Sequence, residues 1–195
     1  MGRVIAALSM SLDGFVADEN HGLAELIGWY QGGDVEVRTA DPRWTLRVSA
    51  ASARFLRAAL SGGGALICGR RLFDHTDGWG GRHPAGWPVF VVCHAIPAGW
   101  PRADSATSFY PDPMAALEAA RKVAGKRDVT VSTPTLTRQY LDAGMVDEIR
   151  VSLVPVLLGE GISFLRGLTV APVRLAGPEV VEGRGVTHLS YRVIR

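Results

Sequence analysis

Cysteine is scarce in this chain. The two residues, Cys68 and Cys93, both lie in apolar runs, ALICG and VFVVC. A pair so placed implies buried, reduced thiols and excludes a disulfide framework. No CxxC pair, no His/Cys cluster at zinc spacing and no HExxH occurs, which removes the usual sequence grounds for a metal site. An excess of charge of one sign is also missing: the net charge is +2, with no basic stripe interleaved with aromatics. That argues against nucleic acid and membrane surfaces as partners. No apolar run approaches the roughly 20 residues that cross a bilayer. The N-terminal MGRVIAALSMSLDGF is too short in its apolar part for a secretory signal. The expectation is a cytoplasmic protein acting on a small molecule. Internal repeats, linkers and low-complexity tracts are absent as well, so residues 1–195 read as one domain, 47% hydrophobic and able to bury a sizeable core.

What is present alternates between short apolar runs and helical patterns. Strands are predicted at Arg3–Ser9, Ala65–Cys68, Val89–Cys93, Val129–Ser132 and Glu148–Val156, with a last pair joined at Glu182-Gly183-Arg184-Gly185. Helices are predicted at Leu23–Tyr30, at Ser49–Leu60, after Asp112-Pro113, and at Thr135–Ala143 closed by Gly144. Strands alternating with helices imply an α/β sheet, largely parallel, covered on both faces, with an antiparallel final pair. Such sheets bind ligands beyond the carboxyl ends of their strands, which singles out the segments after Ser9, Cys68, Cys93 and Ser132.

Each of these segments has distinctive chemistry. In CGRRLFD, Gly69 permits close approach of a ligand to backbone, and Arg70 and Arg71 could clamp a phosphate; two solvated arginines at a helix start would look the same. In VCHAIP, His94 could donate to a phosphate or sugar. Neighbouring side chains of an extended segment face opposite ways, which argues against a Cys93–His94 dyad. In SLDGFVADEN, Asp13-Gly14 forms a turn or a mobile loop over a pocket, and Glu25 is the nearest acid on the helix that follows. No glycine-rich loop satisfies a strand–GxGxxG–helix or GxxxxGK[ST] test.

Taken in order and spacing, AALSMSLDGFVAD, ICGRRLFD, VFVVCHAIP and AGMVDEIRVSLVPVLLGEG resemble the dihydrofolate reductase-like superfamily over essentially the whole chain. The similarity is to the branch containing the reductase domain of bacterial riboflavin biosynthesis. The resemblance implies an α/β, dihydrofolate reductase-like fold: a central, mostly parallel eight-stranded sheet with flanking helices and an antiparallel C-terminal edge. It also implies hydride transfer from NADPH to a C=N bond or masked carbonyl of a small heterocycle, and often a homodimer through the C-terminal strands. Carried over by position, Ala7 and Val16 would bond the nicotinamide carboxamide through backbone. Gly69, Arg70, Arg71, Cys93 and His94 would meet the adenosine phosphates. Asp13 would lie in the closing loop, and Glu25 would support protonation.

One turn departs from the family pattern. Ser132-Thr133-Pro134 stands where the resemblance implies two or three glycines, in an unusual backbone touching the pyrophosphate. One reading keeps phosphate binding, with Thr133 as N-cap, Pro134 as first helical residue, Thr135 after it, and hydroxyl donors added. The other takes the NADPH site as degenerate. The protein is then a cofactor-independent enzyme, such as an isomerase or cyclase, or a ligand-binding protein.

Overall fold

A computed structural model describes residues 1–194. The strands are β1 (Val4–Ser11), β2 (Phe15–Ala17), β3 (Val35–Arg38), β4 (Thr45–Val48), β5 (Gly63–Gly69), β6 (Val89–Val92), β7 (Thr107–Tyr110), β8 (Asp128–Val131), β9 (Glu148–Val154), β10 (Ile162–Ser163), β11 (Leu175–Gly183) and β12 (Val186–Val193). The helices are α1 (Ala24–Ile27), α2 (Ala50–Gly62), α3 (Arg70–His75), α4 (Pro113–Ala124) and α5 (Pro134–Asp142). Eight strands form one sheet in the order β11-β12-β9-β1-β8-β5-β6-β7. Pairing from β9 through β7 is parallel, and β12 and β11 run antiparallel at the edge. This is the predicted architecture.

Short strands escaped the sequence pattern. β2, β3, β4, β7 and β10 are two to four residues long, too short to show a period of two. The expected helix at Leu23–Tyr30 divides into α1 and a 3₁₀ turn at Gly28–Gln31, the backbone departing from helical angles at Ile27 (φ −113°, ψ −2°). Elsewhere local signals decide the ends. Ser49 accepts the Ser52 amide at the start of α2, and Asp112 accepts the Ala115 amide ahead of Pro113 in α4. Gly144, at φ 66°, ends α5 in the left-handed region.

Residues alternate between the two faces of the sheet. Val4, Ala6, Val129, Val131, Ile149 and Val151 join the core under α4 and α5 with Leu117, Leu136 and Tyr140. The Tyr140 hydroxyl donates to Pro113 O and ties α5 to α4. On the opposite face, Trp29, Val37, Val48 and Ala53 pack with Val154 and Val186.

The motif AGMVDEI locks the amino end of β9 to that of β1. Asp147 Oδ2 accepts the Val4 amide, and buried Glu148 receives both Arg3 and Arg150. Replacing Glu148 removes the charged acceptor of partly buried Arg150, while half-exposed Arg3 keeps Asp128. Glu148→Gln is therefore expected to lower folding stability by about 2 kcal/mol, read from the urea midpoint. A loss below about 0.5 kcal/mol would contradict this account.

Candidate functional site

The two central strands part near their carboxyl ends. β1 pairs with β8 only as far as Ala6↔Val131, whereas its pairing with β9 continues to Ser11↔Val154. Past that point Ser132 Oγ donates to Ala7 O at 3.1 Å, a side-chain strap in place of the ladder. The N–H and C=O of one strand residue point to the same side, and alternate residues repeat the direction. Ala7 and Ser9 therefore turn their backbone groups toward the widening gap. Ala7, Ser9, Thr130 and Ser132 are all partly exposed although they belong to the middle of the sheet, which marks the gap as the floor of a cleft.

The rim is built from the β1–β2 turn and the loop after β9. Ser11 Oγ donates to Asp13 Oδ1 at 2.5 Å and accepts the Phe15 amide. The Asp13 carboxylate accepts the amides of Leu158 (3.2 Å) and Gly159 (2.7 Å). With the Ser11 hydroxyl first and these amides second, its pKa is held below the usual carboxylate range. Asp13 thus clamps PVLLGEG onto the β1–β2 turn. Gly161 completes the contact, because a Cβ there would lie 2.2 Å from Ala17 O. β2 pairs with β10 through Phe15 and Ala17, leaving Val16 as the residue between the paired positions. Glu25 is exposed on α1.

On the far side of the gap, β5 and β8 end next to each other and start α3 and α5. Thr133 has φ −143° and ψ 139°, ordinary extended backbone, and the cis peptides lie elsewhere, at Trp100-Pro101, Ala171-Pro172 and Gly177-Pro178. The unusual backbone that would call for glycine is not there, so Ser132-Thr133-Pro134 fits without strain. Pro134 takes the first helical position as expected. Thr133 holds the N-cap position, but its side chain makes no capping hydrogen bond, contrary to the expectation. Its Oγ1 is buried without a partner, 3.8 Å from where a Cβ on Gly69 would sit. The expected gain of hydroxyl donors is also altered at Ser132, whose proton goes to Ala7 O.

Arg70 is not a free clamp. Its Nε bonds both Asp74 oxygens at 2.8 Å and its Nη1 donates to Ala95 O at 2.9 Å, so it fastens α3 to the segment carrying Cys93 and His94. Arg71 is exposed and makes no hydrogen bond or ion pair among the described residues. Burial pushes the Cys93 thiol upward, partly offset by Arg70, which is the wrong direction for a nucleophile. His94 is exposed beside it, and Thr135, exposed on α5, accepts from Arg138 through Oγ1.

These residues fit a bound dinucleotide phosphate. An anion between the starts of α3 and α5 would find the orphaned Thr133 hydroxyl, the free first-turn amides of Thr135 and Leu136, and the unpaired Arg71. Pro134 removes one amide, and the Thr133 hydroxyl offers a donor in its place.

Sequence reasoning missed a buried network behind Ser9. Buried His188 sits between Ser52 Oγ on Nε2 and Ser152 Oγ on Nδ1, each at 2.9 Å. Phe55 stacks on the ring at 4.1 Å and Trp29 meets it edge-on at 4.9 Å. Trp29 Nε1 in turn donates to Ser9 Oγ at 3.1 Å. Ser9, Ser152 and His188 form one cross-strand row. No local pattern joins positions so far apart in the chain. Among the described residues, no cluster of metal-ligating side chains occurs and no helix is long and apolar enough to cross a membrane.

Sheet order, the parted central strands and the antiparallel edge are those of a dihydrofolate reductase-like fold. Residues 102–182 match the model of the RibD C-terminal domain family. The chain is similar in structure to a Shewanella sp. PV-4 protein assigned to riboflavin biosynthesis (TM-score 0.70, 21% identity, 99% of each chain covered). It is also similar to the Thermotoga maritima diaminohydroxyphosphoribosylaminopyrimidine deaminase/5-amino-6-(5-phosphoribosylamino)uracil reductase (TM-score 0.61, 12% identity), with 99% of this chain matched but 57% of the other. Dihydrofolate reductase from Enterococcus faecalis, solved with NADP(H), gives a TM-score of 0.58 at 13% identity, covering 100% of this chain and 98% of the other. No curated protein matches the sequence.

Proposed function

We propose that this protein is an NADPH-dependent reductase that delivers hydride to a C=N bond or masked carbonyl of a small nitrogen heterocycle. The observation that carries the proposal is the parting of β1 from β8, strapped by Ser132 and Ala7, which leaves backbone groups of Ala7 and Ser9 facing the gap. A carboxamide is the natural complement of such an edge. When bound, NADPH supplies the hydride. Ala7 and Val16 would hold the carboxamide through backbone groups. Gly69, Thr133, Thr135 and Arg71 would hold phosphate, while Arg70 keeps Cys93 and His94 against α3. Asp13 holds the rim closed. Its carboxylate accepts three hydrogen bonds and is poorly disposed to carry a proton. Glu25, exposed on α1, is the proposed support for protonation through solvent. A homodimer through β11, exposed along most of its length, belongs to the same proposal.

The test is a titration with NADPH followed by nicotinamide fluorescence and thermal shift. Saturable binding below millimolar concentration is expected, with oxidation on adding 5-amino-6-(5-phosphoribosylamino)uracil or a related heterocycle. Absence of binding at millimolar NADPH would sink the proposal. Arg71→Ala is expected to weaken NADPH about tenfold, with NADH affinity unchanged. Equal weakening for both dinucleotides would remove Arg71 from the phosphate site.

A further inference from the structure

Ser9 and Ser132 lie on the floor of the cleft and buried Ser11 stands at its rim, and their protons are used differently. Ser11 donates to Asp13 and Ser132 donates to Ala7 O, so both hydroxyl protons are committed within the protein. Ser9 is the exception. Its oxygen accepts from Trp29 Nε1, and indole nitrogen is a donor only, so the Ser9 proton remains available. No other polar atom among the described residues bonds Ser9 Oγ.

Three further observations bear on Ser9. Its side chain lies on the same face of β1 as those of Ala7 and Ser11, and it is partly exposed on a central strand. The lone pair taken by Trp29 fixes where the remaining proton can point. Trp29 is itself immobilised, against Tyr30 at 4.2 Å and edge-on to His188 at 4.9 Å. His188 is in turn held at both nitrogens by Ser52 and Ser152. A chain of buried contacts therefore ends in one oriented hydroxyl donor facing the cleft.

We infer that Ser9 is a specificity-determining residue: its hydroxyl donates to an in-plane acceptor, a carbonyl oxygen or ring nitrogen, of the heterocycle that occupies the cleft. Trp29 and His188 are positioning residues that act through it. This rests on the reductase reading for the identity of the cleft, but not on NADPH for the contact itself. Ring carbonyls are good acceptors, and an oriented donor discriminates against analogues that lack them because the donor is then left unpaired.

The experiment is a calorimetric titration of 5,6-diaminouracil into the full chain, with and without NADPH. The wild-type protein is expected to bind the probe saturably, and Ser9→Ala to weaken it about tenfold with NADPH affinity and melting temperature unchanged. Trp29→Phe keeps a ring against His188 but frees the Ser9 hydroxyl to rotate, and a smaller loss of about threefold is expected. Wild-type protein that fails to bind the probe at millimolar concentration, or a Ser9→Ala variant that binds it as well as wild type, overturns the inference. Failure of NADPH alone to bind overturns the reductase reading and leaves the Ser9 result readable from the titration without cofactor.

Discussion

Lowering the pH from 7 to 4 is expected to cost this protein about 6 kcal/mol of folding stability from two histidines alone. Burial lowers the pKa of both His188 and His83 from 6.5 to about 4. His188 is enclosed by Phe55, Trp29 and two serine hydroxyls, and no carboxylate among the described residues is bonded to it. His83 lies between Trp79 and Trp87 and accepts the Ala85 amide at Nδ1, which requires the neutral ring. In the unfolded chain both rings take up protons as the pH falls through 6.5; in the folded protein they do not until about 4. The unfolded state gains protons first, so stability is complete above pH 6.5 and declines through that window, by about 3 kcal/mol per ring. Urea midpoints measured from pH 7 to 4 test this. His188→Asn should lower stability at pH 7 and roughly halve the slope below it. A slope left unchanged by His188→Asn and His83→Asn together would show that other groups govern the acid transition.

Release of the rim is expected to have the largest effect on activity. Asp13→Ala removes the acceptor of the Leu158 and Gly159 amides and of the Ser11 hydroxyl. Because Asp13 is exposed, the fold should be little affected. The loop from Val156 to Gly161, however, loses its attachment to the β1–β2 turn, and misplacement of about 1 Å in a positioning loop costs on the order of 10²-fold in rate. The expected result is a drop of about 10²-fold in kcat/KM for NADPH oxidation, together with faster amide exchange at Leu158 and Gly159. Asp13→Asn keeps one acceptor oxygen and should recover part of both. Exchange that accelerates while turnover stays at the wild-type level would separate the clamp from catalysis.

Both effects depend on contacts between residues far apart in the chain, and they mark where sequence reading ends. The α/β alternation, the caps at Ser49 and Asp112, Pro134 at the start of α5 and the left-handed Gly144 were all legible, since each is set by local backbone preference or by the periodicity of a buried run. The order of motifs along the chain pointed to the dihydrofolate reductase-like sheet. The sequence also singled out the carboxyl ends of β1, β5, β6 and β8, which the parallel pairing brings to one side of the sheet.

Tertiary structure decided what those ends contain. Ser132-Thr133-Pro134 departs from the glycines that the resemblance implies, and the sequence left both a retained and a degenerate phosphate site open. In the fold the Thr133 backbone is extended, Ser132 straps the parted strands, and Thr133 leaves one buried hydroxyl without a partner. Arg70 and Arg71 are neighbours of identical type, yet Asp74 and Ala95 O engage one and leave the other unpaired. His188 gave no local signal at all, because its neighbours Ser52, Ser152, Phe55 and Trp29 are brought to it from three separate parts of the chain. Local propensity acts over a few residues, so the chain alone determines elements and their order. Which hydroxyl keeps a free proton, and which arginine keeps a free charge, depends on partners that only strand pairing and helix packing bring within hydrogen-bonding distance.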